Sequence, residues 1–101
     1  MKKLDTIDHI AIQVKDVEKS LKWYLDNFKC EIIYSDKTWA FIKFNNTKLA
    51  LVVNDEHPPH FAILNKNLKI GKEVVKHRDG SFSKYLKDED GNYIELINYE
   101  K

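Results

Sequence analysis

The sequence predicts an α+β fold of two βαβββ modules, the helix of the second being short or missing. Three observations lead there. Several short runs alternate apolar and polar residues, one stretch carries a helical period, and the order of runs begins again after the Pro58-Pro59 break. A single domain over 1–101 is expected, with module 1 at about 5–54 and module 2 at about 59–99.

The elements follow in order. From Ile7 to Val14, residues Ile10, Ile12 and Val14 point one way and His9, Ala11 and Gln13 the other, as on a strand with two different faces. Asp16 offers an N-cap, and Glu18 suits the first turn of a helix. Val17, Leu21, Tyr24, Leu25 and Phe28 then form one apolar stripe, with Trp23 off it. Cys30 to Tyr34 and Trp39 to Phe44 read as strands, and Asn45-Asn46-Thr47 turns the chain into a third, Leu49 to Val53. Asn54 to Pro59 reads as a linker, because prolines do not suit the middle of a sheet.

After the linker the pattern repeats. His60-Phe61-Ala62-Ile63 echoes His9-Ile10-Ala11-Ile12, histidine for histidine. Only Asn65 to Ile70 remains for a second helix, so one flank of this module is expected to be thinly covered. Asp79-Gly80 marks a hairpin between Glu73–His77 and Phe82–Lys87. Asp88 to Asn92 is a second turn, and Tyr93 to Asn98 the last strand. If the first turn is one residue shorter, Phe41 matches Tyr85 and Ala50 matches Glu95.

Composition narrows the function. A chain of 101 residues buries ~60–65% of its unfolded surface, enough for a modest core. Basic and acidic residues balance at 17 against 16, which argues against binding the phosphate backbone of a nucleic acid. Cys30 stands alone, which excludes an internal disulfide and a cysteine-rich zinc site. The opening residues lead into alternation rather than a long apolar run, so no signal peptide and no membrane span are expected. A cytoplasmic globular protein is the expectation.

The segments His9-Ile10-Ala11-Ile12-Gln13-Val14-Lys15-Asp16, Trp23-Tyr24 and Asp88-Glu89-Asp90-Gly91-Asn92-Tyr93-Ile94-Glu95-Leu96 resemble the glyoxalase, bleomycin-resistance and extradiol-dioxygenase group, the vicinal oxygen chelate superfamily. The resemblance extends over nearly the whole chain, and its closing motif is the most specific part. Glu89 replaces a common proline, and Lys29 stands where the first helix usually ends in glycine. The resemblance implies a curved mixed sheet around a cup. It also implies metal ligands from the first and fourth strands of each module, here His9, His60 and Glu95. The remaining ligand position falls on Ala50, which cannot ligate, so four-ligand glyoxalase chemistry is not implied. The three that remain match the pattern of extradiol dioxygenases and fosfomycin-modifying transferases.

Two imidazoles and a carboxylate suit one divalent ion, Fe, Mn, Ni, Co or Zn, with positions left open for substrate. A lone histidine at a strand start is usually only a polar edge residue. Two in repeat phase, with a carboxylate set between the apolar neighbours Ile94 and Leu96, form a stronger pattern. His57 rivals His60 but precedes the two prolines and reads as linker. By the same resemblance, Tyr85 and His77 are the catalytic candidates, lying ahead of Glu95 at about the dioxygenase spacing. Lys84 departs from that pattern, and His77 beside a tight turn also fits a solvated residue. Arg78, the only arginine, reads as a surface charge.

The reading is therefore a metal-dependent enzyme acting on a small oxygen-chelating molecule, dioxygenase-like or a lyase or transferase. One alternative is a protein of the bleomycin-resistance kind that sequesters a ligand on Trp39, Phe41 and Tyr85. Another is a protein-interaction domain using the thinly covered flank. A small-molecule substrate or ligand, no nucleic acid, no membrane and a homodimer with Trp23 at the contact complete the expectations.

Overall fold

The computed structural model describes residues 3–53, 57–77 and 80–99. Among them the order is β1 (Ile7–Gln13), α1 (Val17–Asn27), β2 (Glu31–Ser35), β3 (Trp39–Lys43), β4 (Lys48–Val52), β5 (His60–Leu64), β6 (Val75–Lys76), β7 (Phe82–Lys87) and β8 (Tyr93–Asn98). This is the expected α+β order. Backbone contacts group His9–Pro59 as one compact unit and Met1–Asp8 with His60–Lys101 as another. Among the described residues, no helix is long and apolar enough to cross a membrane.

In the first half the strands lie in the order β2-β3-β4-β1, with β1 parallel to β4 and the other neighbours antiparallel. Alternation gives this sheet two apolar faces. One carries Ala11, Phe41, Ala50 and Val52, with Tyr34 and Trp39 against them. The other carries Ala40, Ile42 and Leu51, with Val17, Leu21 and Tyr24 of α1 among the side chains covering it. Ile42 and Leu51 are fully buried there, each worth about 1.5–3 kcal/mol of apolar transfer. Ile10, Leu25 of α1 and Phe28 just past its end, by contrast, stay substantially exposed. A bulge between Ile32 and Tyr34 shifts the β2 register by one residue, which turns Tyr34 onto the face of Phe41.

The helix starts as expected, the Asp16 carboxylate accepting from the Lys19 amide at 3.1 Å. It ends without a left-handed residue. Phe28 leaves in an extended conformation while its amide still donates to the Tyr24 carbonyl, so Lys29 in place of glycine costs the fold nothing here.

The second half has the order β5-β8-β7-β6, β5 parallel to β8 and the remaining neighbours antiparallel. No helix occurs among its described residues. The stretch expected to hold one is a turn, with the Leu68 amide on the Asn65 carbonyl and the Asn67 amide on the Asn65 side chain. Asn98, buried on β8, donates its amide group to the carbonyls of Lys66 and Leu68 and ties that turn to the sheet. Asparagine favours such side-chain-to-backbone bonds over helix, which accounts for the loss of the second helix at Asn65 and Asn67. Phe61 and Leu86 are left partly exposed.

The hairpin strand expected over Glu73–His77 shortens to Val75–Lys76. Its turn holds through the His77 amide on the Ser81 carbonyl at 2.7 Å, with Gly80 at a φ of 90° that favours glycine. Arg78 and Asp79, like Asn54–Glu56 of the linker, lie outside the described residues. In the second turn the Asp88 carboxylate accepts from the Asn92 side chain and from the backbone amides of Asn92 and Asp90, and those bonds, the side-chain one foremost, pull its pKa below the usual range. Glu89 in place of proline leaves the turn intact because Asp88 closes it.

Candidate metal centre

The register of the second half decides which side chains meet. β5 and β8 run parallel with Ala62 opposite Glu95, and β7 and β8 antiparallel with Tyr85 opposite Glu95. Period-two alternation then puts His60, Ala62, Ser83, Tyr85 and Glu95 on one face. The small Ala62 leaves room above the sheet for the imidazole two residues before it. Ile94 and Leu96 take the opposite face, as alternation predicts.

On that face Glu95 is 4% exposed, yet its carboxylate is not stranded. His60 Nε2 lies 3.1 Å from Oε1 and His77 Nε2 lies 3.5 Å from Oε2. The other ring nitrogen of His60 faces the Tyr85 hydroxyl at 3.4 Å, and the two rings meet edge to face. That hydroxyl can donate to Nδ1 or accept from it, so it serves either tautomer of His60. Burial first, and the Glu95 charge second, push the Tyr85 pKa up, which keeps the phenol neutral. His77 has its shortest contact with the Ser83 hydroxyl, 2.6 Å from Nε2. The Ser83 hydroxyl can donate to that nitrogen or accept from it, so it serves either tautomer of His77.

Four of the predicted site residues, His60, His77, Tyr85 and Glu95, thus converge in the second half. His77 is not a solvated turn residue, since its side chain is only 18% exposed and faces Glu95. Ser83 was not singled out from the sequence. Its position two residues before Tyr85 on a strand was the signal that could have found it. His9 belongs to the first half, buried on β1 with its ring edge-on to Phe41 at 4.8 Å. His57 uses its backbone carbonyl to accept from Gln13.

The donor set of the second half fits a divalent ion. Two ligand atoms, each about 2.1 Å from one ion and between a right and a tetrahedral angle apart, lie roughly 3.0–3.4 Å from one another. His60 Nε2 and Glu95 Oε1 are at that separation. A neutral imidazole and a carboxylate are also the ligand types that borderline divalent metals take.

A family model described as the Glyoxalase/Bleomycin resistance protein/Dioxygenase superfamily matches residues 6–65. That is more than half of the chain, and the chain belongs to this superfamily. No curated protein sequence matches significantly. Among solved structures, a variant of methylmalonyl-CoA epimerase from Streptomyces coelicolor, in complex with 2-nitronate-propionyl-CoA, is similar with a TM-score of 0.79 and 19% identity, over 98% of this chain and 100% of that one. A hypothetical protein from Bacillus halodurans is similar with a TM-score of 0.78 and 19% identity, over 98% and 97% of the two chains. A selenomethionine form of methylmalonyl-CoA epimerase reaches 0.78 at 16% identity over the whole of both. At such identities the likeness is one of fold.

Proposed function

We propose that this chain is a metal-dependent enzyme acting on a small substrate that chelates through two neighbouring oxygens, with His9, His60 and Glu95 holding one divalent ion. The observation that carries the reading is the buried His60–Glu95 pair, with donor atoms 3.1 Å apart. Register supports His9 as the third ligand. His9 precedes Ala11, which is opposite Ala50, as His60 precedes Ala62, which is opposite Glu95. The two histidines therefore hold the same place in their own halves.

When bound, such an ion acts as a Lewis acid that polarises a substrate oxygen. The chain's own residues then have separable tasks. Glu95 supplies negative charge in a water-poor setting, where electrostatic interactions are strengthened. Tyr85 orients the His60 ring through Nδ1 and, as a neutral phenol, can donate a hydrogen bond. The family resemblance that named Tyr85 and His77 as catalytic candidates is supported by their closeness to His60 and Glu95. Ring cleavage with dioxygen, lyase and group-transfer chemistry all fit the donor set. The coenzyme A ester in a structural neighbour makes acyl thioesters a second class to screen beside catechols.

Metal analysis of protein purified without chelator tests the reading. About one equivalent of transition metal is expected, and its loss in His9→Ala and in Glu95→Ala. Absence of metal from the wild-type protein, even after reconstitution, would sink it. A second reading, sequestration of a planar ligand, has its own support in the aromatic surface of the first half. There Tyr34 stacks on Trp39 at 4.5 Å and Trp39 meets Phe41 edge-on at 5.4 Å. Tight ligand binding that survives Glu95→Ala would favour it.

The active assembly is read as a homodimer, with Trp23, 54% exposed on α1, at the contact. Mixing inactive His9→Ala and Glu95→Ala proteins would restore activity if each site draws on two copies, and would leave it absent if each is built within one chain.

A further inference from the structure

Glu95 is held at both ends of its carboxylate, and the two ends differ. Oε1 faces His60, a proposed ligand, while Oε2 faces His77, which is not one. His77 is itself anchored twice. Its backbone amide donates to the Ser81 carbonyl at 2.7 Å, and its Nε2 sits 2.6 Å from the hydroxyl of Ser83, which is only 1% exposed. Ser83 in turn is fixed by the sheet, since β7 pairs with β8 on one side and β6 on the other. Rigid backbone thus continues through a short hydrogen bond to an imidazole whose Nε2 lies 3.5 Å from one oxygen of Glu95.

We infer that Ser83 and His77 form a positioning pair that holds Oε2 of Glu95 and makes the carboxylate a one-oxygen ligand through Oε1. The inference rests on the metal reading above and deepens it. A carboxylate with both oxygens open to an ion can swing into two-oxygen ligation and occupy a position that a chelating substrate needs. His77 Nε2, 3.5 Å from Oε2, opposes that swing, because rotation would carry the carboxylate away from the imidazole's positive edge. Ser83 keeps the imidazole from turning away. Neither residue touches the ion, so both act through Glu95.

The test uses full-length protein loaded with Co(II), whose visible spectrum reports coordination number, and carries carboxylate-labelled glutamate for infrared spectroscopy. In wild type the antisymmetric and symmetric carboxylate stretches of Glu95, identified by their loss in Glu95→Gln, should be widely split, as for one-oxygen ligation. His77→Leu should narrow the splitting and weaken the visible bands as coordination number rises. Its Co(II) affinity should fall by about 10–100-fold, the usual cost of losing a residue that orients a ligand. Ser83→Ala should shift the same readouts less, and His77→Gln, whose amide can still donate, should restore the wide splitting. Unchanged splitting in a metal-loaded His77→Leu protein would overturn the positioning role while leaving the metal site standing. Wild-type protein that takes up no Co(II) would overturn both. Should His77→Leu fail to fold, Ser83→Ala and His77→Gln carry the comparison alone.

Discussion

The two halves of the chain share one strand plan and differ in what stands on it. In the first, Ala11 is opposite Ala50, which is opposite Phe41, and the His9 ring meets Phe41 edge-on at 82°. In the second, Ala62 is opposite Glu95, which is opposite Tyr85, and the His60 ring meets Tyr85 edge-on at 82°. Two substitutions across the repeat, Ala50 for Glu95 and Phe41 for Tyr85, separate an apolar aromatic floor from a cluster of titratable groups. The opposite faces differ too. The first is covered by α1, the second, among the described residues, by a turn tied to Asn98. Backbone register therefore supplies positions, and a few side chains decide whether a position carries chemistry.

The sharpest way to break this comparison is to move the carboxylate. Glu95→Ala should lower metal affinity by more than the roughly 100-fold that marks the loss of a mere orienting partner. Adding Ala50→Glu should recover part of it if the two halves are equivalent, which competition with a chromogenic chelator would measure. No recovery would show that register alone does not place a ligand.

Next in size is the difference between the face under α1 and the more thinly covered face of the second half. Leu51→Ala, at a fully buried site, should cost about 2–5 kcal/mol in denaturant unfolding. Leu86→Ala, 43% exposed, should cost far less, under about 1 kcal/mol. Equal costs would mean that the second face is covered in solution. Asn98→Ala should cost about 1–3 kcal/mol by stranding two turn carbonyls. Faster amide exchange over 65–70 would be its local signature.

A smaller effect belongs to Asp36 in the β2–β3 turn. Burial alone would raise its pKa, but bonds from the Tyr34 hydroxyl, the Thr38 and Trp39 amides and the Thr38 hydroxyl outweigh it and bring the value down from 3.8 to about 2. A pKa lowered by folding adds stability above the unfolded value, and that contribution disappears as pH falls through the folded one. Asp36→Asn should therefore be less stable than wild type at pH 7, with the gap closing between pH 3.8 and about 2. A gap constant across that window would refute the assignment. Smallest of all, Phe41→Tyr, which gives the first half the hydroxyl of the second, should change stability by less than about 1 kcal/mol, with the new hydroxyl beside His9 as Tyr85 is beside His60.

Most of the strand order was legible because alternation and turn chemistry are local. His9, His60, Ala50 and Glu95 could be aligned from the repeat alone, and Asp16 could be named as a cap from its own neighbours. The absence of the second helix was also foreshadowed, since only Asn65 to Ile70 was left to form it. Three features needed tertiary structure. The bulge at Ile32 to Tyr34 turns Tyr34 inward by adding one residue on one strand, which alternation within that strand does not reveal. His77 is named from the sequence only by resemblance, and it takes the pairing across β6, β7 and β8 to bring it to Glu95. Ser83 looks like a polar spacer until its hydroxyl is found on His77. A side chain's face is set by its nearest neighbours along the chain, but its partner is set by the register of strands distant in sequence.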